Sequence, residues 1–270
     1  MTEASRPATS GLVAARQLRI RPGLRGPAEP TLGTWVKLPT LETLELIADA
    51  GFEFVVIDME HSPLGLETVY QLVFGAQALG MAALIRVADR SGSLYQRLLD
   101  SGADGILVPQ VSTVEEAEAA VAGMTFAPAG RRGLGVTARA GRWGLAGLSG
   151  YLATGTDIVR GVQIEDIGAL RDHERFLEVD GLDAVFLGMG DLTVSSGRSA
   201  DDPEISELTD RLIAATRARG LPCGTAVGDV AGAVAAAERG FSFVMVSNDT
   251  SIFAAAVSAL GSDAIARLHG

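Results

Sequence analysis

Gly51-Phe52-Glu53-Phe54-Val55-Val56-Ile57-Asp58 carries the pattern that decides the fold: a glycine after a helical stretch, then a short β-branched apolar run ending in a carboxylate. The unit recurs at Gly80 before Ala83-Leu84-Ile85-Arg86 and at Gly102 before Ile106-Leu107-Val108-Pro109. It returns at Gly181 before Ala184-Val185-Phe186-Leu187-Gly188, at Gly220 before Leu221–Ala226, and at Gly240 before Phe243-Val244-Met245-Val246. Glycine suits the left-handed position that closes a helix. Runs that are apolar at every position suit strands covered on both faces.

Helix starts agree with this reading. Ser112 with Glu115 frames a capping box, Asp202-Pro203 an N-cap with a first-turn proline, and Thr40 and Asp229 are further caps. Adding Gly33–Lys37 and Ile158–Glu165 brings the count to eight strands alternating with helices. Eight such units predict an α/β fold, a closed (β/α)8 TIM barrel, with a doubly wound open sheet as the structural rival. No Gly-x-Gly-x-x-Gly stands between a strand and a helix, so a dinucleotide fold has no positive support. Residues 31–270 form one catalytic domain in this reading. Residues 1–30 precede it, with 1–9 a loose tail and 10–20 a short helix or strap across the barrel floor. Residues 127–157 read as an irregular, glycine-rich insertion after strand four, long enough to cover an active site.

The chain has 270 residues, 47% hydrophobic, enough for one large core, and a net charge of -11. That charge argues against nucleic acid, whose phosphates need clustered Lys and Arg, and against anionic membranes. An anionic substrate would therefore need a local arginine or a metal. Cys223 is the only cysteine, which excludes an intrachain disulfide and a Cys-based zinc site and fits a reducing cytoplasm. No apolar run approaches the roughly 20 residues of a membrane span. The first 30 residues lack the apolar core and cleavage site of a secretory signal.

Barrel chemistry sits at the C-terminal ends of strands. Those ends carry Asp58, Glu60 and His61, then Arg86, Pro109 with Gln110, Gln163 with Glu165, Gly188 to Asp191, and Asn248 with Asp249. The opposite ends carry mostly glycines and helix termini. Glu165 and Asp191, on neighbouring strands, suit a hard divalent cation, Mg2+ or Mn2+ with Co2+ as a third candidate. Alternatively, each caps a helix or pairs with an arginine. His61 beside carboxylates suits an acid–base group, or else is a surface histidine in a loop. Arg86 ends an apolar strand and needs an anion, either a protein carboxylate or, preferably, a substrate oxygen. Asp100 reads as a helix-end carboxylate facing solvent. Trp35 is core or pocket wall, Trp143 is lid packing or a subunit contact, and Cys223 is a buried apolar residue.

Five segments in the same order, over roughly residues 30–260, resemble the HpcH/HpaI aldolase family. They are Val56-Ile57-Asp58-Met59-Glu60-His61, Leu98-Leu99-Asp100-Ser101-Gly102-Ala103, Pro128-Ala129-Gly130-Arg131-Arg132-Gly133, Val162-Gln163-Ile164-Glu165 and Phe186-Leu187-Gly188-Met189-Gly190-Asp191-Leu192. The resemblance implies a barrel of the phosphoenolpyruvate/pyruvate type and a metal-dependent class II pyruvate aldolase, of the group acting on 4-hydroxy-2-oxoheptanedioate and 2-keto-3-deoxy-sugar acids. It implies Glu165 and Asp191 as metal carboxylates and Arg86 as the contact to the ketone oxygen. Gln163 and the backbone of Gly188, Met189 and Gly190 would hold pyruvate. His61 with Asp58 would be the acid–base pair, working through a water. Asp100 would reach a neighbouring subunit's site, and Ile252 and Phe253 would line an aldehyde pocket. A homo-oligomer, trimer or hexamer, with a swapped last helix is implied.

Two departures stand out. Relatives commonly show Gly-Pro-Ala-Asp-Leu-Ser where this chain has Gly188-Met189-Gly190-Asp191-Leu192-Thr193, and often a methionine at Gln110. The small-molecule partners expected are a 2-oxo acid and an aldehyde. The expected reaction is reversible cleavage of the C3–C4 bond of a 4-hydroxy-2-oxo acid. The alternatives are an oxaloacetate decarboxylase or C–C bond-forming enzyme of the macrophomate synthase kind, and a non-catalytic barrel that binds an oxo acid.

Overall fold

The computed structural model describes residues 30–269; the tail and strap expected over 1–20 lie outside them. Eight parallel strands close into a barrel in sequence order: β1 (Thr31–Val36), β2 (Phe54–Asp58), β3 (Ala82–Arg86), β4 (Gly105–Val108), β5 (Val159–Ile164), β6 (Ala184–Leu187), β7 (Cys223–Val227) and β8 (Phe243–Asn248). Closure comes from β1 pairing with β8, Thr31 opposite Phe243, which excludes the open sheet. The helices in chain order are α1 (Leu41–Asp49), α2 (Leu66–Ala78), α3 (Gly92–Asp100), α4 (Val114–Met124), α5 (Gly147–Ala153), α6 (Ile167–Arg171), α7 (His173–Phe176), α8 (Met189–Ser196), α9 (Pro203–Arg219), α10 (Val230–Arg239) and α11 (Asp249–His269).

The repeat read from the sequence is the repeat of the structure. All six glycines that announce strands have positive φ, as at Gly51 (φ 89) and Gly102 (φ 88). Thr40, Asp202 and Asp229 cap as expected. The box at α4 closes one residue later: Thr113 is the N-cap, Glu116 N–H donates to its Oγ1 at 3.2 Å, and Ser112 N–H donates to Glu116 Oε2 at 2.9 Å. Thr113-x-x-Glu116 satisfies the same pattern as Ser112-x-x-Glu115, so spacing alone could not choose between them.

Two apolar cores hold the barrel. One lies between strands and helices. The other fills the barrel interior with Trp35, Phe54, Leu84, Leu107, Phe186, Phe243 and Met245, among others. Glycine makes room for the rings: a Cβ at Gly224 would lie 2.0 Å from Phe243 Cε2. Such an interior is a plug, which leaves the mouth as the place for chemistry. Cys223 is buried in the outer core, and burial pushes its thiol up to about 12, so it is inert.

Two expectations change. The insertion over 127–157 joins α4 to β5, so within its own chain it lies at the N-terminal ends of the strands, away from the mouth. There Arg139 Nη1 donates to Ser101 O and Tyr151 Oη donates to Asp100 Oδ1. Reading it as following strand four overlooked the intervening α4, which reverses the chain direction. Secondly, α11 has the length and average composition to cross a membrane, although Ser258, Ser262, Asp263 and Arg267 interrupt it. Only Asp249 in it is buried, while Phe253, Leu260 and Leu268 are exposed.

Candidate active site

Asp58 and Arg86 are register partners at the ends of β2 and β3. Arg86 Nε donates to Asp58 Oδ1 at 2.9 Å and Nη2 to Oδ2 at 2.8 Å, while Nη1 lies 3.1 Å from Glu60 Oε2. Its Cζ sits 4.1 Å from the centroid of the Trp35 ring, a cation–π contact. Lys37 Nζ adds a second cation, 3.3 Å from Asp58 Oδ2. Burial alone would raise the Asp58 pKa. The Arg86 hydrogen bonds and charge, the His61 N–H and the Lys37 charge outweigh it and hold the carboxyl below its usual range. The anion that the buried Arg86 requires is therefore first of all a protein carboxylate.

His61 does not turn its ring to Asp58. Its backbone N–H donates to Asp58 Oδ1 at 3.3 Å, whereas Nε2 lies 3.7 Å from Glu60 Oε2. The imidazole is half exposed, so it is reachable from solvent and from a ligand at the mouth.

Glu165 and Asp191 stand at the ends of β5 and β6. Glu165 is 8% exposed, yet its Oε1 has no hydrogen-bond partner, and neither has Gln163 Oε1 beside it. Burial, then the charge of Asp191, then that of Glu60 push the Glu165 carboxyl up to about 7, against the Gln110 N–H and Arg86. Neither carboxylate pairs with an arginine as its main partner, and the N-cap of α8 is Gly188 without a side-chain cap bond. A Cβ at Gly188 would come within 2.9 Å of both Gln163 Nε2 and Glu165 Cγ, so only glycine fits between them.

A cavity of about 420 Å3 opens beside these groups, lined by Trp35, Lys37, Arg86, Gln163, Gly188 and Asp191 among others, with Glu165, Glu60 and His61 outside its lining. Met189 and Gly190 also line it and begin α8, whose first N–H groups have no helical partner. Trp35 is thus both core and pocket wall. A metal fits the donor set in one way. Among the described residues no three His, Cys, Asp or Glu side chains cluster to hold a cation. The protein offers instead a buried carboxylate with one unpartnered oxygen beside a second carboxylate, the platform a hard cation completes with water and substrate oxygens.

Two candidate residues lie elsewhere. Asp100 ends α3 at the far side of the barrel, bonded to Arg132 Nη2 at 3.0 Å and to Tyr151. Ile252 is half exposed on α11, outside the cavity lining. Lys37 is brought in by the structure, which also gives the strand-end residues Glu60 and Gln110 their partners. Lys37 directly follows β1, so the strand-end rule that found the others would have found it too.

The profile of the HpcH/HpaI aldolase/citrate lyase family matches residues 31–256. The chain belongs to that family. A 2-dehydro-3,6-dideoxy-6-sulfogluconate aldolase of Pseudomonas putida is 34% identical over 81% of this chain and 86% of its own length. A 2-keto-3-deoxy-L-rhamnonate aldolase of Salmonella gallinarum is 33% identical over 87% and 88%. Among solved structures, an HpcH/HpaI aldolase/citrate lyase family protein from Burkholderia cenocepacia superposes with a TM-score of 0.82 at 29% identity, covering 92% of this chain and 98% of that one. Macrophomate synthase shares the fold, with a TM-score of 0.77 at 20% identity, covering 97% and 91%. This HpcH/HpaI protein is accordingly an enzyme of the aldolase type, a carbon–carbon lyase.

Proposed function

We propose that this HpcH/HpaI family member reversibly cleaves the C3–C4 bond of a 4-hydroxy-2-oxo acid, yielding pyruvate and an aldehyde, with a divalent cation such as Mg2+ or Mn2+. The observation that carries the reading is the buried Glu165 carboxylate, whose Oε1 has no hydrogen-bond partner, beside Asp191, which lines a cavity walled by cationic and N–H donors. A cation held by Glu165 and Asp191 would supply a Lewis acid next to the ketone oxygen.

The chain's own groups do the rest. A guanidinium has five N–H donors, and Asp58 accepts from two of those of Arg86, while Glu60 Oε2 stands 3.1 Å from Nη1 as an ion pair. Those not bonded to Asp58 are left for the ketone oxygen, where negative charge collects as the bond breaks. The uncapped start of α8 at Met189 and Gly190 receives the substrate carboxylate. His61, whose nearest carboxylate is Glu60, takes the proton of the 4-hydroxyl through a water. The C4 carbon leaves as the aldehyde, and the electron pair of C3–C4 passes into the oxo-acid fragment, which takes up a proton from solvent at C3 to become pyruvate. Asp58 holds Arg86 rather than the imidazole. In synthesis His61 returns the proton to the new alcohol.

We also propose a homo-oligomer, a trimer or hexamer, in which α11 packs on a neighbouring barrel and Asp100 reaches the neighbour's site. An apolar helix of which only Asp249, at its start, is buried supports this, and the chain's single buried cysteine suits a reducing cytoplasm.

The test is proton NMR in deuterated buffer with pyruvate and Mn2+ or Mg2+, followed by a panel of aldehydes scored for adducts. The wild-type chain should exchange the pyruvate methyl protons, and Glu165→Ala and Asp191→Ala should not. Full activity of either variant in the presence of a chelator sinks the cation assignment. Release of CO2 from oxaloacetate without cleavage of any 4-hydroxy-2-oxo acid sinks the aldol assignment.

A further inference from the structure

We propose that Gln110 is a positioning residue that ties the acid–base corner of this site to its carboxylate pair; the inference rests on the aldol reading above. Gln110 stands just beyond β4 with φ 56, in the left-handed region, where a residue with a Cβ is strained. Its side chain is exposed, so packing does not explain the conformation.

That turn lets one residue face three ways. Its Nε2 donates to Glu60 Oε1 at 2.8 Å. Its backbone N–H faces the Glu165 carboxylate. Its carbonyl accepts from Arg90 Nη1 at 2.9 Å, and Arg90 Nη1 is held in turn by Glu116 Oε2 at 2.7 Å, in the first turn of α4. Strained backbone persists where its surroundings over-determine it. Here the brace runs from α4 through Arg90.

The consequence falls on Glu60. Its Oε2 lies between Arg86 Nη1 at 3.1 Å and His61 Nε2 at 3.7 Å. With Oε1 bonded to Gln110, the carboxylate cannot swing away, and the half-exposed imidazole meets an acceptor fixed in one direction. The same residue lies against Glu165, so the group that moves the proton and the pair that faces the ketone keep one spacing. Gln110 touches neither substrate nor reacting atoms in this scheme and acts through Glu60.

Two variants separate positioning from structural support. Gln110→Met keeps the chain length and removes the donor; Gln110→Gly also relieves the left-handed strain. Both should lower kcat for cleavage of a 4-hydroxy-2-oxo acid about tenfold, with KM changed by no more than about twofold. Mn2+ affinity, followed by titration of the resting protein, should stay within about twofold. Gln110→Gly should keep or raise Tm while kcat falls. Combined with Glu60→Gln, the loss from Gln110→Met should largely vanish, because both changes break one contact.

Unchanged kcat in Gln110→Met overturns the proposal, as do losses that multiply in the double variant or a Tm that falls together with kcat in Gln110→Gly. A wild-type chain without cleavage activity overturns the aldol reading instead, and that result is seen before any variant is made.

Discussion

Arg86 grips Asp58 through two parallel hydrogen bonds, of 2.9 and 2.8 Å, from directly paired positions on adjacent strands. Asp58 is fully buried and Arg86 nearly so, so each charge is tolerable only because of the other. Arg86→Ala would strand a buried carboxylate and should cost about 3–5 kcal/mol in urea unfolding at pH 7. Arg86→Lys keeps a charge but loses the planar fork and the donors left for a ketone oxygen. It should unfold at intermediate urea and turn over about 100-fold more slowly. Wild-type turnover by Arg86→Lys would remove Arg86 from the mechanism and leave it a structural ion pair.

Gly188→Ala tests the cradle between Gln163 and Glu165. A methyl group there would come within 2.9 Å of both side chains, so Gln163 or Glu165 must shift to admit it. We expect kcat/KM to fall about 100-fold and Mn2+ affinity to weaken measurably. The helix that starts at Met189 survives, since an alanine at the N-cap costs only about 1 kcal/mol. Unaltered cation binding and turnover would mean that the two carboxylates have more room than the backbone suggests.

The barrel was legible because its signal is repeated: six helix-ending glycines each precede an apolar run, and every such run became a strand. The strand-end rule found Asp58, Arg86, Gln163, Glu165 and Asp191 for the same reason, since register and barrel closure place strand ends on one rim. Pairings across that rim were not legible. Asp58 and His61 are three residues apart and looked like partners, yet the strand direction sends Asp58 to Arg86 and leaves the ring to Glu60. The clamp at Gln110 depends on a left-handed φ at a non-glycine residue, for which no sequence signal exists. The far-side position of the insertion followed from chain direction, and counting α4 would have revealed it.

Glu165 makes the metal-free protein sensitive to pH. Its folded pKa of about 7 is raised above the ordinary 4.5, chiefly by burial and Asp191. A raised value means that stability is fully present below 4.5 and is lost as pH climbs through 7. Solvent at the cavity mouth screens part of this, so we expect a loss of about 1–2 kcal/mol between pH 4.5 and 8. Glu165→Gln should abolish that loss and be the more stable protein at pH 8 by thermal scan. Mn2+ must displace the same proton, so its affinity should weaken up to about tenfold per unit below pH 7. Cation affinity that is flat between pH 5.5 and 7.5 contradicts the assignment.

The last helix tests the assembly. Ile252, Phe253, Val257, Leu260, Ile265 and Leu268 of α11 are exposed, while α10 presents Val230 and Val234 on the barrel wall. The proposed oligomer would cover these apolar side chains, as exposed apolar patches at interfaces are covered. Asp249 is the exception in α11. Its carboxylate accepts from the N–H groups of Lys37 and Leu38 at 2.9–3.0 Å, fastening the helix start to the end of β1. Cutting the chain after residue 251 would keep that anchor and remove the apolar face, and Phe253→Glu with Leu260→Glu would poison the face without shortening the chain. Light scattering should report an oligomer for the wild type and a monomer for both variants, with the barrel's circular dichroism retained. If Asp100 serves a neighbour's mouth as proposed, turnover should fall with the assembly, since Asp100 lies on the far side of its own barrel, bonded to Arg132 and Tyr151. A monomeric wild type with full activity would leave Asp100 a structural carboxylate and α11 without a partner barrel.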